Sequence, residues 1–163
     1  MTENPRFIVD HNVGKLAKWL RMMGYDTRFF SGDNDSRMIA LAHEEGRVIL
    51  TKDTQIMRRR LVTNGQIKAI LIKDDKPEIQ MHQVITTLNL DPQLRPFSIC
   101  LECNQLLQER SQPQVKDMVP PYVFQTQSQY MECPTCHRIY WRGTHWQAMT
   151  RKLTGFMSNS TEG

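Results

Sequence analysis

The 163-residue sequence has no long apolar segment, since no run approaches the roughly 18 to 20 residues that a membrane-spanning helix needs. Its first six residues also lack the apolar stretch behind a basic start that characterises a secretory signal peptide. These two absences argue against a membrane protein and against a secreted one. We therefore expect a cytoplasmic protein, in which thiols stay reduced.

Cysteine is scarce and charge is nearly balanced. The chain has four cysteines, and its 21 lysines and arginines against 17 aspartates and glutamates give a net charge of +4. This sign is compatible with a nucleic-acid partner, but any attraction for a polyanion must come from local patches of charge. A hydrophobic fraction of 39% with 23% charged residues indicates a soluble globular protein.

Short apolar strands alternate with helical patterns over the first ninety residues. Asn12 is placed to cap the first helix, Gly24 to end it in a left-handed conformation, and Gly46 to end the second. Strands alternating with helices predict βαβ units, that is, an α/β fold with a mostly parallel sheet flanked by helices. Strands are predicted at 7–9, 25–30, 48–50 and 69–72, and helices at 13–23, around 38–42, at 56–62 and at 77–88.

The alternating pattern breaks at Asp91, Pro92 and Pro96, and the composition then shifts to cysteine, glutamine, proline and aromatic residues. We predict an α/β domain over residues 1–90, a linker over 91–97 and a small cysteine-bearing module over 98–155. The small polar residues of the final segment, 156–163, predict a disordered tail.

The four cysteines form two Cys-x-x-Cys pairs, Cys100 with Cys103 and Cys133 with Cys136. Two such pairs can supply the tetrahedron of thiolates that Zn²⁺ prefers. The 29 residues between the pairs exceed the usual spacing, but the longer loop costs only about 0.4 kcal/mol by the logarithmic closure law. Two disulfides or a redox pair are the alternatives. We predict one structural zinc ion per chain in a C-terminal ribbon.

Aspartates stand near the ends of the predicted strands. Asp10 follows the first strand, Asp53 follows the third, and Asp35 lies just before the second helix. Ligands of an open parallel sheet bind beyond the carboxyl ends of its strands, so these side chains are expected to converge. Clustered carboxylates take up protons or hold a cation such as Mg²⁺ or Mn²⁺. Asp35 and Asp53 also stand where aspartate commonly caps a helix.

The same acidic pattern leaves a receiver-type phosphoacceptor domain open, with Asp53 as the phosphorylated residue. Such a domain usually has two adjacent acidic residues after its first strand, whereas Asp10 is followed by His11. A signalling lysine after a fifth strand is also hard to place, because the cysteine module begins there.

Basic residues of the first helix directly follow Asp10. Lys18 and Arg21 share a helix face, with Lys15 one turn earlier, and they are candidate contacts to phosphates near the metal site. A solvated basic face is the alternative. The aromatic residues Tyr140, Trp141 and Trp146 after the second cysteine pair can stack on unpaired bases or form the core of the ribbon.

Several blocks of the chain resemble one known family, the PIN-like ribonucleases with an appended zinc ribbon, named after the C-terminal RNase domain of the mutator protein Mut-seven. The resemblance covers about residues 6 to 150. It is carried by Val9-Asp10, by LAKWLRMMGYDT at 16–27, EGRVILTKD at 45–53, CLECN at 100–104, CPTC at 133–136 and YWRGTH at 140–145. Two residues depart from the family's pattern: His11 stands where a small or apolar residue is usual, and Lys52 where arginine is common.

The resemblance implies a PIN-like α/β fold for residues 1–90 and metal-dependent cleavage of RNA. It places Asp10, Asp35 and Asp53 at the acidic positions that hold the catalytic Mg²⁺ or Mn²⁺. Asp74 or Asp75 is a candidate for a fourth carboxylate.

We therefore expect a metal-dependent ribonuclease that acts on tRNA or single-stranded RNA, with Lys18 and Arg21 positioning the RNA backbone. The ribbon is expected to extend the RNA-binding surface or to cap the edge of the sheet. The alternative is a noncatalytic RNA- or ribosome-binding adaptor with the same fold and zinc ribbon.

Overall fold

The computed structural model describes residues 4–158, and all statements about structure refer to that range. Within it, the first part of the chain forms a parallel sheet with the strand order β2-β1-β3-β4. The strands of this sheet are β1 (Arg6–Asp10), β2 (Thr27–Phe30), β3 (Arg47–Thr51) and β4 (Ala69–Leu71). The helices connected to it are α1 (Leu16–Met22), α2 (Asp35–Glu45), α3 (Thr54–Met57), α4 (Arg60–Thr63) and α5 (Pro77–Leu88).

The sheet is buried on both faces because its strands carry apolar side chains at successive positions. Phe7 and Val9 point to one face, where they join a core cluster with residues of α1 and α5. Ile8 and Ile49 point to the other, where they pack with residues of α2 and α3. Burial on both faces is typical of parallel strands, and the predicted α/β fold is confirmed.

Gly24 ends the first helical segment as predicted. Its φ is +97°, and a Cβ added there would lie 2.5 Å from the carbonyl oxygen of Arg95. Glycine is therefore required both by the backbone conformation and by the close approach of the chain after α5. Gly46 ends α2 in the left-handed region, with φ of 65°.

Three local predictions differ from the structure. The helix predicted at 13–23 begins only at Leu16, after a turn of 3-10 helix at His11–Val13, so Asn12 does not cap it. The helix predicted at 56–62 is divided into α3 and α4. The second strand begins at Thr27, two residues later than predicted.

A second, smaller sheet follows, with the antiparallel order β5-β6-β7. Its strands are β5 (Gln108–Arg110), β6 (Tyr130–Glu132) and β7 (Ile139–Tyr140), and a short helix α6 (Pro121–Thr126) lies between β5 and β6. Trp141 packs against a small core that includes Tyr130 and Ile139. The ring of Trp141 therefore packs inside the ribbon and does not form an open stacking surface.

The last helix, α7 (Thr144–Ser158), leaves the ribbon and packs on the α/β part. Leu153 and Phe156 are buried in the core cluster that includes α1 and α5. The ring of Phe156 meets Trp19 edge to face at 5.4 Å between centroids. The beginning of the predicted disordered tail, 156–158, is therefore helical, and the remainder, 159–163, lies outside the described residues. No helix in residues 4–158 is both long and apolar enough to cross a membrane.

Candidate active site and zinc centre

The four cysteines converge at one end of the ribbon. Their sulfur atoms all lie within 4.8 Å of one another, and all four are free thiols. The Sγ atoms of Cys100 and Cys136 are 3.7 Å apart, far beyond the length of a disulfide bond. Four sulfurs at this separation fit one tetrahedral zinc ion, so the chain has the ligand set that a structural zinc requires.

The backbone folds in the same way around each cysteine pair. In the first knuckle (residues 100–105) the N–H of Cys100 donates to the carbonyl of Gln105, and in the second (133–138) that of Cys133 donates to Arg138. The residue after each pair is left-handed, with φ of 61° at Asn104 and 62° at His137. Such a conformation is uncommon for residues other than glycine. Its repetition supports a shared role for the two knuckles in holding one ion.

Hydrogen bonds onto the sulfur of Cys133 favour its thiolate, whereas burial and the neighbouring thiols raise the pKa of Cys103. The backbone N–H groups of Thr135 and Cys136 lie 3.4 and 3.5 Å from the sulfur of Cys133. Burial opposes ionisation of Cys133, but these donors outweigh it and lower its pKa to about 7. The hydroxyl of Tyr140 accepts from the N–H of Leu101, which leaves its own proton to donate to the sulfur of Cys100 at 3.2 Å. Donors that stabilise the ligand charge are typical of metal sites.

The first knuckle is docked on the edge strand of the parallel sheet. Asn104 accepts a hydrogen bond from the backbone N–H of Thr27 at 2.9 Å and donates to the carboxylate of Asp26 at 2.7 Å. Because β2 is the outer strand, this N–H faces away from β1. The ribbon thus caps the sheet edge, which is one of the two roles expected for it.

Arg21 does not occupy the position expected of an RNA contact. Its side chain is only 7% exposed, and it donates to the carbonyl oxygens of Thr27 at 3.0 Å and Leu101 at 2.8 Å. Burial lowers its pKa, while the nearby Cys100 and Glu102 oppose that change. The guanidinium therefore joins the sheet to the first knuckle, and two of its nitrogens are already bonded to these carbonyls.

Lys18 lies on the same face of α1 but is exposed. Its ammonium group pairs with Glu102 at 3.0 Å, and this pairing is the main reason why the pKa of Glu102 is lowered. Lys18 remains at the surface, where a phosphate can compete with Glu102 for it.

Asp10 is buried at the carboxyl end of β1, with 3% exposure. One carboxylate oxygen accepts from the backbone N–H of His11 at 2.9 Å and lies 3.1 Å from its Nδ1 atom. The other accepts from the hydroxyl of Thr51 at 2.7 Å and from the side-chain amide of Asn12 at 3.3 Å. Thr51 was not identified from the sequence as a site residue. Its position at a strand end, two residues before Asp53, could have indicated it.

Asp53 and Asp35 lie at the same edge of the sheet. Asp53 caps α3, because its carboxylate accepts from the N–H of Gln55 at 2.8 Å. Asp35 is not a cap: Asn34 accepts the capping hydrogen bond from Arg37, and Asp35 is the first residue of α2. The cap interpretation therefore applies to Asp53 and not to Asp35.

The three aspartates influence one another through their charges. Burial, followed by the negative charges of Asp53 and Asp10, raises the pKa of Asp35 above its ordinary value. Nearby Arg59 and His11 act in the opposite direction. Across residues 4–158, however, the cysteines are the only set of three or more such residues whose ligand atoms all lie within 4.8 Å of one another, so the three carboxylates do not all approach one another this closely.

The candidates for a fourth carboxylate have other partners. Asp75 pairs with the ammonium group of Lys52, which directly follows β3. Asp74 accepts from the backbone N–H of Lys76 at 2.8 Å. Asp75 is the one linked to the end of β3, next to Asp53.

A second charged network was missed from the sequence. Arg47, at the start of β3, is 9% exposed and donates to the carbonyl of Phe7 at 3.0 Å. It also pairs with Asp26 at 2.8 Å and Glu45 at 2.6 Å. Because Asp26 also binds Asn104, this network supports the edge on which the first knuckle docks. The presence of an arginine at the start of an otherwise apolar strand could have indicated this network.

The structure also bears on the receiver-type alternative. Over residues 4–158 the parallel sheet has four strands, and the next strand along the chain, β5, belongs to the ribbon. A signalling lysine therefore has no fifth parallel strand to follow in this part of the chain.

The fold and the site define an α/β protein in which a parallel sheet, with aspartates near the carboxyl ends of its strands, is joined to a four-cysteine ribbon. Residues 5–153 match the family described as the Mut7-C RNAse domain. The chain belongs to this family, as its sequence blocks predicted. No curated protein and no solved structure matches it.

Proposed function

We propose that this protein is a metal-dependent ribonuclease that hydrolyses RNA phosphodiester bonds at the edge of the sheet occupied by Asp10, Asp35 and Asp53. Membership of an RNase-domain family supports hydrolysis of RNA in general. The observation that carries the proposal for this site is the placement of the three aspartates at one edge of the sheet, where burial and then repulsion by Asp53 and Asp10 raise the pKa of Asp35. A bound cation compensates such repulsion.

The donor set suits Mg²⁺ or Mn²⁺. Carboxylate oxygens are the ligands that these ions prefer, and Mg²⁺ usually keeps several of its waters. A set of carboxylates too far apart for a closed cage is compatible with an ion that retains water. Asp10, Asp35 and Asp53 would hold one or two such ions, which would lower the pKa of a bound water and neutralise charge on the scissile phosphate.

The surrounding side chains would orient the carboxylates. The hydroxyl of Thr51 accepts from the N–H of Asp53 at 3.0 Å and donates to Asp10, so it joins the ends of β1 and β3. Asn12 binds Asp10 with its amide nitrogen and accepts from the N–H of Lys52 with its oxygen, at 3.2 Å. These contacts fix the direction of the Asp10 carboxylate before RNA arrives. Preorganisation of this kind is favourable for catalysis.

Cys100, Cys103, Cys133 and Cys136 would hold the structural zinc, one ion per chain. RNA is the proposed partner, with tRNA and single-stranded RNA as candidate substrates and Lys18 as a contact to the backbone. A cytoplasmic location is part of the proposal, on the grounds of reduced thiols.

One observation favours the noncatalytic adaptor. Both oxygens of Asp10 already accept hydrogen bonds within the protein, and the three carboxylates do not form a closed ligand group in residues 4–158. An adaptor would bind RNA with the same surface and would leave it intact.

The test is cleavage of labelled tRNA and single-stranded RNA by zinc-loaded protein, with Mg²⁺, with Mn²⁺ and after dialysis against buffer free of both. Dialysis is preferable to EDTA because a chelator also removes zinc from the ribbon. Asp53→Asn keeps an equally good helix cap, and we expect it to abolish cleavage. Asp117→Asn, at an exposed position in the ribbon, is the matched control and should cleave as the parent does.

RNA that stays intact with both ions would favour the adaptor. Normal cleavage by Asp53→Asn would refute the proposed site.

A further inference from the structure

An aromatic ring is exposed beside the proposed active site. Phe29 lies on the edge strand β2, opposite Val9 of β1, so it is one residue from the level of Asp10 in the sheet. It is 43% exposed and the adjacent Arg28 is also exposed, whereas Thr27 and Phe30 at the two ends of the strand are buried. An exposed apolar ring next to a site for a polymeric anion calls for a functional explanation.

The ring of Phe29 lies closely against Gly14. A Cβ added to Gly14 would lie 2.8 Å from the Cε1 atom of Phe29. Gly14 has φ of −57° and ψ of −28°, a right-handed conformation that any residue adopts. A larger residue at this position would therefore displace the ring of Phe29, while the backbone itself does not require glycine.

Phe29 forms a ridge between two depressions in the surface. The larger one, a groove of about 940 Å³, runs between α1, the first knuckle and α7, and it begins at His11 and Asn12, which both bind Asp10. The smaller one, of about 350 Å³, includes Asn34 beside Asp35. The ring thus separates the neighbours of Asp10 from the neighbours of Asp35.

Both depressions carry cations that are suited to an RNA backbone. Lys15 and Lys152 line the groove, and Arg37 lines the smaller depression. These three side chains are exposed and make no ion pair with the described part of the chain, 4–158. Of the acidic residues in the groove, Glu102 and Asp75 are paired with lysines, so Glu78 is the carboxylate that opposes a polyanion there.

We propose that Phe29 is a stacking platform for one nucleobase of single-stranded RNA, whose backbone passes from the groove over the ridge. This inference rests on the proposed ribonuclease function and names its substrate class. Every base has a π-face, so an aromatic platform accepts any sequence, provided that the base is unpaired. Bases inside an RNA duplex are stacked on their neighbours and cannot reach the ring. The site is therefore selective for single strands without selecting a sequence.

The test measures binding, separately from cleavage, with the Asp53→Asn protein in buffer without Mg²⁺ or Mn²⁺. The probes are a short fluorescein-labelled RNA of mixed sequence, once as a single strand and once annealed to its complement. Phe29→Leu keeps an apolar side chain and removes the π-face, while Phe29→Trp restores one. Tyr122→Leu is the matched control, because Tyr122 is 74% exposed and lines neither depression.

We expect Phe29→Leu to raise the Kd for the single strand at least about fivefold, since a stacked base contributes on the order of 1 kcal/mol or more. The Kd for the duplex should be unchanged, and so should the salt dependence, because no charge is removed. Phe29→Trp should bind the single strand as tightly as the parent side chain. Thermal melting should show all the Phe29 variants folded, since each replacement keeps an apolar side chain at a position that is 43% exposed.

An unchanged Kd for the single strand in Phe29→Leu, or an equal loss for the duplex, would overturn the inference and leave the ribonuclease proposal standing. A single-strand loss in Phe29→Leu, with no cleavage by the parent in Mn²⁺, would support the platform and refute the nuclease. The two proposals therefore fail separately.

Discussion

The buried guanidinium of Arg21 can be tested directly as a structural link between the sheet and the first knuckle. Arg21→Met removes the two hydrogen bonds to the carbonyls of Thr27 and Leu101 but keeps an unbranched apolar side chain. Hydrogen bonds from a charged group are worth roughly 1.5 to 3 kcal/mol each, which sets an upper limit of about 6 kcal/mol. The substitution also removes the cost of burying a charge, so we expect a net loss of about 2 to 4 kcal/mol.

For a chain of this length, such a loss corresponds to a fall in Tm of about 4 to 16 °C. Thermal melts of zinc-loaded protein followed by circular dichroism measure it. Lys18→Met, one turn earlier on the same helix, is the control: its exposed ion pair with Glu102 is worth at most about 1 kcal/mol. Its Tm should therefore stay close to that of the parent.

RNA binding gives a second, independent measurement on the same proteins. Each phosphate contact contributes about 0.7 to the slope of log Kd against log salt for a single strand. We expect Arg21→Met to leave this slope unchanged, since its side chain does not reach a phosphate. An unaltered Tm together with a reduced slope would refute the structural role and would restore Arg21 as an RNA contact.

Two further predictions concern the metal sites. Elemental analysis is expected to find one zinc per chain, and the Cys103→Ser variant should lose this ion. Asn104 and Leu101 of the same knuckle bind Thr27 and Arg21 of the α/β part. The whole protein, and not only the ribbon, should therefore melt at a lower temperature. Zinc well below one per chain in untreated parent protein would contradict this. Asp35→Asn should change the free energy of unfolding without Mn²⁺ by less than about 1 kcal/mol, since Asn34 supplies the helix cap and only a first-turn charge is lost. The Asp35→Asn variant should also be stabilised less by Mn²⁺ than the parent, for which the stabilisation is about 2.7 kcal/mol when the Mn²⁺ concentration is a hundred times Kd. If Mn²⁺ raises the Tm of the variant as much as that of the parent, Asp35 is not a ligand.

The sheet and its helices were predictable because local patterns determine them. Gly24 and Gly46 stand after apolar periodic segments and have positive φ, as helix ends of this type require. The cysteine pairs are equally local signals, and their convergence follows from the chemistry of zinc. The sequence placed Asp35 at the edge of the sheet where the structure has it. The helix cap, however, is the neighbouring Asn34, which is also a good capping residue.

The failures involve partners far away in the chain. Helical spacing places Lys18 and Arg21 on one face, but it does not show that a segment 80 residues later covers Arg21. Asn12 satisfied the rule for a helix cap, yet its side-chain oxygen, the atom that would accept a capping hydrogen bond, accepts from the N–H of Lys52, 40 residues later. Phe29 was placed in the predicted strand 25–30, but nothing in the sequence shows that this strand lies at the edge of the sheet.

The placement of α7 has a consequence for the order in which the chain folds during synthesis. The four strands of the parallel sheet leave the ribosome well before Leu153 and Phe156, which complete the core over α1 and α5. Until then the apolar face of these helices is open to other chains, and the outer edge of β2 is open until the first knuckle docks on it. Both features promote aggregation. The first ninety residues alone are therefore expected to be a poor expression product. The α/β part gains its full protection only when the last helix has been made.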